Sequence, residues 1–252
     1  MNLSFKVHLD FWNVRIIIID MIKLDTIFSF WKDLTPEQKA FLANSARTEI
    51  FPQDKLIHRS DGTCRGIMAV VSGALRVYCV SDEGREVTLY RVESGDVCIL
   101  SASCLMDSIV FDVLIEALGD TKVCLIPSQA LHKVEEENPL VELYIYKNAT
   151  EKFSEVLWTL QQLLFMKIDQ RIAAFLHDES LRQKSTLLSI THEDIAKEIG
   201  SVREVVSKTL KYLADEGVVR LGRGKIEILD KGSLGILRVG SDPSGENLRG
   251  KF

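Results

Sequence analysis

Arg203, Glu204, Ser207 and Lys208 are the residues of this 252-residue chain whose types and spacing best suit a chemistry, the reading of base edges in duplex DNA. Arg203 and Glu204 are adjacent, and Ser207 and Lys208 follow about one helical turn on, so one helix face can carry all four. A guanidinium can grip O6 and N7 of guanine through two parallel bonds, and a carboxylate can accept from cytosine N4. Lys208 can reach a base or a phosphate, whereas the hydroxyl of Ser207 suits a phosphate. A plainer account of the same residues also stands. Glu204 lies three places after Ser201, which is a capping-box spacing, and Arg203 can pair with an acidic neighbour on a solvated face.

The flanking sequence supplies elements to position such a face. Thr191 and Asp194 have capping-box spacing and open a short helix with Ile195, Ala196 and Ile199 on its buried side. Gly200 breaks it. Ser201 then caps a second helix over Val202 to about Glu216, with Val202, Val206, Leu210 and Leu213 on one side and Lys211 among the polar residues opposite. Gly217 ends it. Helix, glycine turn, helix is a helix-turn-helix, whose second helix enters the major groove. Val218 to Leu221 and Lys225 to Leu229 read as two strands joined by Gly222-Arg223-Gly224, a basic wing carrying Arg220, Arg223 and Lys225. From Gly200 to Lys225 there are six Lys/Arg against three Asp/Glu, within a chain of net charge −5. The acidity therefore lies elsewhere, and one basic face is left for phosphates.

The first half is punctuated differently. Gly62, Gly73, Gly84 and Gly95 recur every eleven residues, between the runs Ile67 to Val71, Ala74 to Val80, Glu86 to Val92 and Val97 to Leu100. Phe111 to Leu118 and Lys122 to Ile126 continue the pattern across a Gly119-Asp120 turn. Turn residues at this spacing predict an all-β antiparallel roll, sandwich or barrel. Between Gly119 and Gly200 there is no glycine, and Asn138-Pro139 can start one helix running to about Lys167, roughly 45 Å at 1.5 Å per residue. Ala149, Phe153, Val156, Leu160 and Leu163 form one apolar stripe of this helix, with Phe153, Leu157, Leu160 and Leu164 beside it. One stripe can pack on the β-domain while the other meets a second copy. Burial of the whole helix within one subunit is the alternative.

The run THEDIAKEIGSVREVVSKTLKYLADEGVVRLGRGKIEILD resembles the DNA-binding domain of the cyclic-AMP-receptor/FNR (Crp/Fnr) regulators, and the β-roll and long helix upstream resemble their effector domain and dimerisation helix. The resemblance covers about Ile22 to Gly232, with R-E-x-V-S-K its most specific part. It implies an α+β chain: an N-terminal double-stranded β-helix, a jelly roll like those that bind cyclic nucleotides, then a long dimerisation helix and a C-terminal winged helix-turn-helix. It implies base contacts from Arg203, Glu204 and Lys208 and a phosphate contact from Thr191. On the reading of the residues themselves, Ser201, Ser207, Lys211, Arg223 and Lys225 complete the expected DNA face. Val205 stands where the family commonly has threonine. The implied partners are double-stranded DNA, a second copy of the chain and, for an activator, RNA polymerase.

The resemblance also marks an effector cassette, Gly95 and Asp96 followed by Cys98, Ser101, Ser103 and Cys104. Cyclic-nucleotide binders of the family have an arginine here that neutralises the cyclic phosphate, but no arginine occurs between Arg91 and Arg171. A phosphate buried without it would be poorly compensated, so no response to cyclic AMP is expected. No cysteine precedes Cys64, against an iron–sulfur centre of the FNR kind, and Ile99 and Ser101 stand at the haem-ligand positions of the carbon-monoxide sensors. An apolar cassette with two thiols suits a small, mostly apolar effector or thiol oxidation. It also suits plain core with constitutive DNA binding.

The remaining features set bounds. Five cysteines without a C-x-x-C pair fit reduced thiols in a cytoplasmic protein, and no apolar run is long enough for a membrane span. The five histidines are dispersed and no G-x-S-x-G occurs, so nothing argues for catalysis. Net acidity opposes an architectural DNA-coating protein. The expected organisation is an extension over 1–20, a β-roll over 21–137, the dimerisation helix and hinge over 138–170, the winged helix-turn-helix over 171–232, and a flexible tail over 233–252.

Overall fold

The computed structural model describes residues 24–58, 65–100 and 113–239. The chain divides into two compact units, one made of residues 1–78 and 90–155, the other of 79–89 and 156–252.

In the first unit a 3-10 turn, Ser29–Asp33, leads into α1, Pro36–Ser45, which opens with a capping box between Thr35 and Gln38. Six antiparallel strands follow: β1 Arg47–Phe51, β2 Leu56–His58, β3 Gly66–Val80, β4 Glu86–Glu93, β5 Val97–Cys98 and β6 Leu114–Pro127. Their order is β1-β6-β3-β4, with β2 paired to β6 and β5 to β3. Helix α2, Ser128–Glu137, and the long α3, Pro139–Phe165, complete the set, with residues 79–89, from the end of β3 into β4, and the part of α3 after residue 155 counted in the second unit. Ile67, Ala69, Val71, Val97, Ile99, Cys124 and Ile126 pack with Phe28, Leu131, Val134, Val141, Tyr144 and Ile145 of the helical segments. The alternate residues Met68, Val70, Leu75 and Val77 are buried as well. That two-sided burial explains why the second face of these strands is not polar.

Two sequence expectations for this unit need correction. It is not all-β, since α1 and α2 belong to it. Nor do Gly73 and Gly119 end strands. β3 and β6 run straight through them because the extra residues are taken up where the register jumps from Ser72↔Lys122 to Ala74↔Leu118. The fully buried Thr121 ties that irregularity together, its hydroxyl donating to Ala74 O at 2.9 Å and accepting from Ala74 N at 3.2 Å. Gly73, at φ +83°, has no space for a Cβ, which would lie 2.7 Å from Asp120 O.

The second unit holds α4 Ile168–Arg182, β7 Leu187–Leu188, α5 His192–Ile199, α6 Arg203–Asp215, β8 Val219–Gly222, β9 Lys225–Ile228 and α7 Lys231–Val239. Its core joins Ile172, Leu176, Leu188, Ile195, Ile199, Val206, Leu210, Leu213, Val219, Ile226 and Leu234. A flexible tail was expected from residue 233, yet α7 occupies its first part. Asp230 accepts from Gly232 N at 2.8 Å and Ser233 N at 3.1 Å, Leu234 is fully buried, and Arg238 reaches His177 Nδ1 at 2.8 Å. Packing against the core overrides the poor helix propensity of Gly232 and Gly235. Residues 1–20 and 240–252 lie outside the described residues.

Candidate nucleic-acid interface

Helix α5 starts as its sequence implies. The Thr191 hydroxyl accepts from Asp194 N at 3.1 Å, and Asp194 Oδ2 accepts from Thr191 N at 2.9 Å. Gly200 ends α5 in the left-handed region, φ +64°, and Ser201 N donates back to Ala196 O at 2.9 Å. A Cβ at Gly200 would sit 2.7 Å from Val87 Cγ2 and 3.1 Å from Leu163 Cδ2, both of the same unit, so position and conformation alike call for glycine.

Helix α6 departs from expectation at its first turn. It begins at Arg203 with Val202 in the cap position, and no side chain caps it. Ser201 is therefore not the cap, Glu204 is not its capping-box partner, and Val202 is 47 % exposed instead of lining the buried side. The tight turn at Gly200–Ser201 delays the helix by one residue. With that competing role gone, Glu204 stands beside Arg203 on an exposed turn. Among the described residues, the side chains of Arg203, Glu204, Lys208 and Lys211 make no hydrogen bond or ion pair, and all four residues are exposed. Val206, Leu210 and Leu213 hold the opposite side in the core.

Ser207 is half-buried, and its Oγ lies 2.9 Å from His192 Nδ1. Burial first, and the nearby Arg203 second, hold the His192 imidazole below its ordinary pKa of 6.5, favouring the neutral ring. Sequence reasoning missed His192. Its signal is a polar residue in the first turn of α5 facing a polar residue in the second turn of α6, legible only once the two helices are packed. In the wing, the register Gly222↔Lys225 leaves Arg223-Gly224 as a two-residue turn with Gly224 at φ +66°. Arg223 and Lys225 are exposed, whereas Arg220 is already paired with Glu227 at 2.7 Å.

In the first unit, Gly95 and Asp96 form a turn in which Gly95 N donates to Val70 O at 2.9 Å and Asp96 Oδ2 accepts from Glu93 N at 3.3 Å. Cys98 is buried opposite Met68, and among the described residues Cys79, Cys98 and Cys124 form no disulfide. Ser101, Ser103 and Cys104 lie outside the described residues. On α3, Phe153, Leu157, Leu160 and Leu164 are 54, 42, 46 and 64 % exposed, and Val156 is half-buried. Among the described residues no helix is long and apolar enough to cross a membrane.

Comparison with known proteins gives a consistent result. Residues 170–235 match the model of the Crp-like helix-turn-helix domain, and residues 48–138 that of the cyclic nucleotide-binding domain. A solved structure described as a putative transcriptional regulator of the crp/fnr family from Eubacterium rectale is 40 % identical, with a TM-score of 0.82; the match covers 85 % of this chain and 99 % of that one. The transcriptional regulator SdrP of Thermus thermophilus is 30 % identical over 172 residues, 64 % of this chain and 78 % of SdrP. The cyclic AMP receptor protein of the same organism is 27 % identical over 195 residues, 77 % of this chain and 89 % of the receptor.

Proposed function

The chain belongs to the Crp/Fnr family of transcription regulators, with a helix-turn-helix of the DNA-binding kind, and on that premise we propose that it binds a near-palindromic operator as a homodimer under the control of a signal sensed in the β-roll. The observation that carries this reading is the exposed, unpaired quartet Arg203, Glu204, Lys208 and Lys211 on the solvent side of α6. Arg203, Glu204 and Lys208 read base edges in the major groove. Thr191, Ser201, Ser207, Lys211, Arg223 and Lys225 meet the phosphates. Ser207 does so from a hydroxyl already oriented by His192.

The dimer reading is supported by the apolar stripe Phe153, Leu157, Leu160 and Leu164, a continuous row at coiled-coil spacing that monomeric surfaces seldom leave to water. A second copy of α3 covers it and sets the two recognition helices about 34 Å apart, one turn of DNA. The boundaries of this organisation are the β-roll over 21–137, the dimerisation helix with its hinge over 138–170 and the reader from 171 to the end of α7 at 239. The sequence suggests a hinge near Asp169–Arg171, but those residues lie within α4, so the hinge proposed is Met166-Lys167, between α3 and α4. The effector acts around Gly95, Asp96 and Cys98, by binding one orientation of the readers more tightly than the other. It is not a cyclic nucleotide, because no arginine between Arg91 and Arg171 is available for the phosphate.

Sedimentation velocity tests the dimer. The wild type should run as two chains per particle and bind one duplex per dimer, and Leu160→Glu should run as a monomer with weakened duplex binding. A monomeric wild type that still saturates a duplex at one chain per site would contradict the proposal.

A further inference from the structure

Tyr90, on β4, is 5 % exposed, and its hydroxyl is buried with no hydrogen-bond partner among the described residues. Buried hydroxyls are rarely left so, because an unmet donor forfeits its bonds to water without replacement. Burial holds the phenol well above its ordinary pKa, with Cys98 and Glu155 adding to the rise, so the group is a neutral donor waiting for an acceptor.

A cation stands over the same ring. Lys152 Nζ lies 5.2 Å from the Tyr90 ring centroid, and its side chain is 16 % exposed. Its charge is met by Glu155 Oε1 at 2.7 Å, one helical turn further along α3. The two partners differ: the Glu155 side chain is 46 % exposed and can turn to water, whereas Lys152 is held against the ring. The ammonium over the ring face and the buried O–H at the ring's edge are therefore two donors about one ring, and Glu155 shows that the ammonium takes a carboxylate. Val92, two positions on from Tyr90 along β4, is buried, as are Val97 and Cys98 of β5.

We propose that the first unit binds a small organic carboxylate with an apolar remainder, whose carboxylate accepts from the Tyr90 hydroxyl and displaces Glu155 from Lys152. The proposal rests on the reading of the β-roll as a sensor and gives its effector a chemical class. Two donors of which one is charged select an anionic acceptor over a neutral one, since an ester or alcohol leaves Lys152 with nothing gained over Glu155. The ligand bridges β4 and α3, and so tells the long helix that the roll is occupied.

The test uses the full-length chain and thermal unfolding. Tyr90→Phe alone should leave Tm within about 2 °C of the wild type or raise it, since the lost hydroxyl makes no bond. A fall of more than about 4 °C, equivalent to 1 kcal/mol or more in a chain of this size, means that the protein already satisfies the hydroxyl, and overturns the proposal. The probes are straight-chain carboxylates from butanoate to decanoate together with benzoate and phenylacetate, each against its methyl ester. At about a hundred times its Kd, a fitting carboxylate should raise the wild-type Tm by about 5–10 °C, its ester should not, and Tyr90→Phe and Lys152→Met should each abolish the shift. No shift from any carboxylate, or a shift that survives in Tyr90→Phe, overturns the proposal. Duplex binding is measured on the same preparations without ligand, so that a chain that binds DNA but no carboxylate fails this inference alone.

Discussion

The His192 imidazole Nδ1 lies 2.9 Å from the Ser207 hydroxyl, joining the first turn of α5 to the outer half of α6 across the helix-turn-helix. Hydrophobic packing of Ile195, Ala196, Val206 and Leu210 brings the helices together, and this bond adds a polar tie at the edge that faces solvent. Ser207→Ala should cost about 0.5–1.5 kcal/mol in urea unfolding, the usual net worth of one such bond. It should weaken every duplex alike, because the contact proposed for Ser207 is to phosphate. Unchanged stability with altered base preference would contradict that role.

Burial of the His192 ring, with Arg203 nearby, makes stability depend on pH in a defined direction. Folding lowers the His192 pKa, so below its ordinary value of 6.5 the unfolded chain binds more protons than the folded one. The stability contributed is complete above that value and is lost as pH falls toward and through the lowered folded pKa. Urea titrations at pH 7.5 and 5.5 should show a larger decline in the wild type than in His192→Gln. Equal declines would remove His192 as the cause.

Base readers and phosphate binders should separate under mutation. Arg203→Ala should cost about 1–3 kcal/mol and relax preference at one position of each half-site. Lys211→Ala, Arg223→Ala and Lys225→Ala should each weaken all duplexes and lower the slope of log affinity against log salt by about one. Fluorescence anisotropy on matched and mismatched duplexes at three salt concentrations distinguishes the two classes.

The parts of the site that were legible in the sequence are those set by local chemistry. The Thr191–Asp194 box, the Gly200 break and the wing turn each follow from one or two residues and their spacing. What was not legible depends on packing at a distance. Ser201 has the type and spacing of a cap, but the turn at Gly200 delays α6 by one residue, to Arg203. Gly73 and Gly119 have the type of turn residues, yet β3 and β6 are long enough to absorb both in a bulge pinned by Thr121. Leu234 draws a glycine-containing segment into helix only because the core of the second unit has room for it. His192 and Tyr90 look unremarkable in the chain, and their partners, present or missing, are defined only by the fold.

Gly200 offers a test of the turn itself. Gly200→Ala combines a left-handed φ of +64° with a Cβ 2.7 Å from Val87, and should destabilise the second unit by more than about 1 kcal/mol. Adding Val87→Ala should recover the steric part and leave the conformational part. If Val87→Ala gives no recovery, the close approach is not what makes glycine necessary there.

Selection of duplexes from a random pool with the purified full-length chain, at near-physiological salt, tests the central claim most directly. The account predicts enrichment of an inverted repeat with half-site centres about ten base pairs apart, lost with Arg203→Ala at the position that residue reads. Pools that stay unenriched without ligand, with a bound carboxylate and under oxidising conditions, or that yield a single unrepeated element, would contradict it.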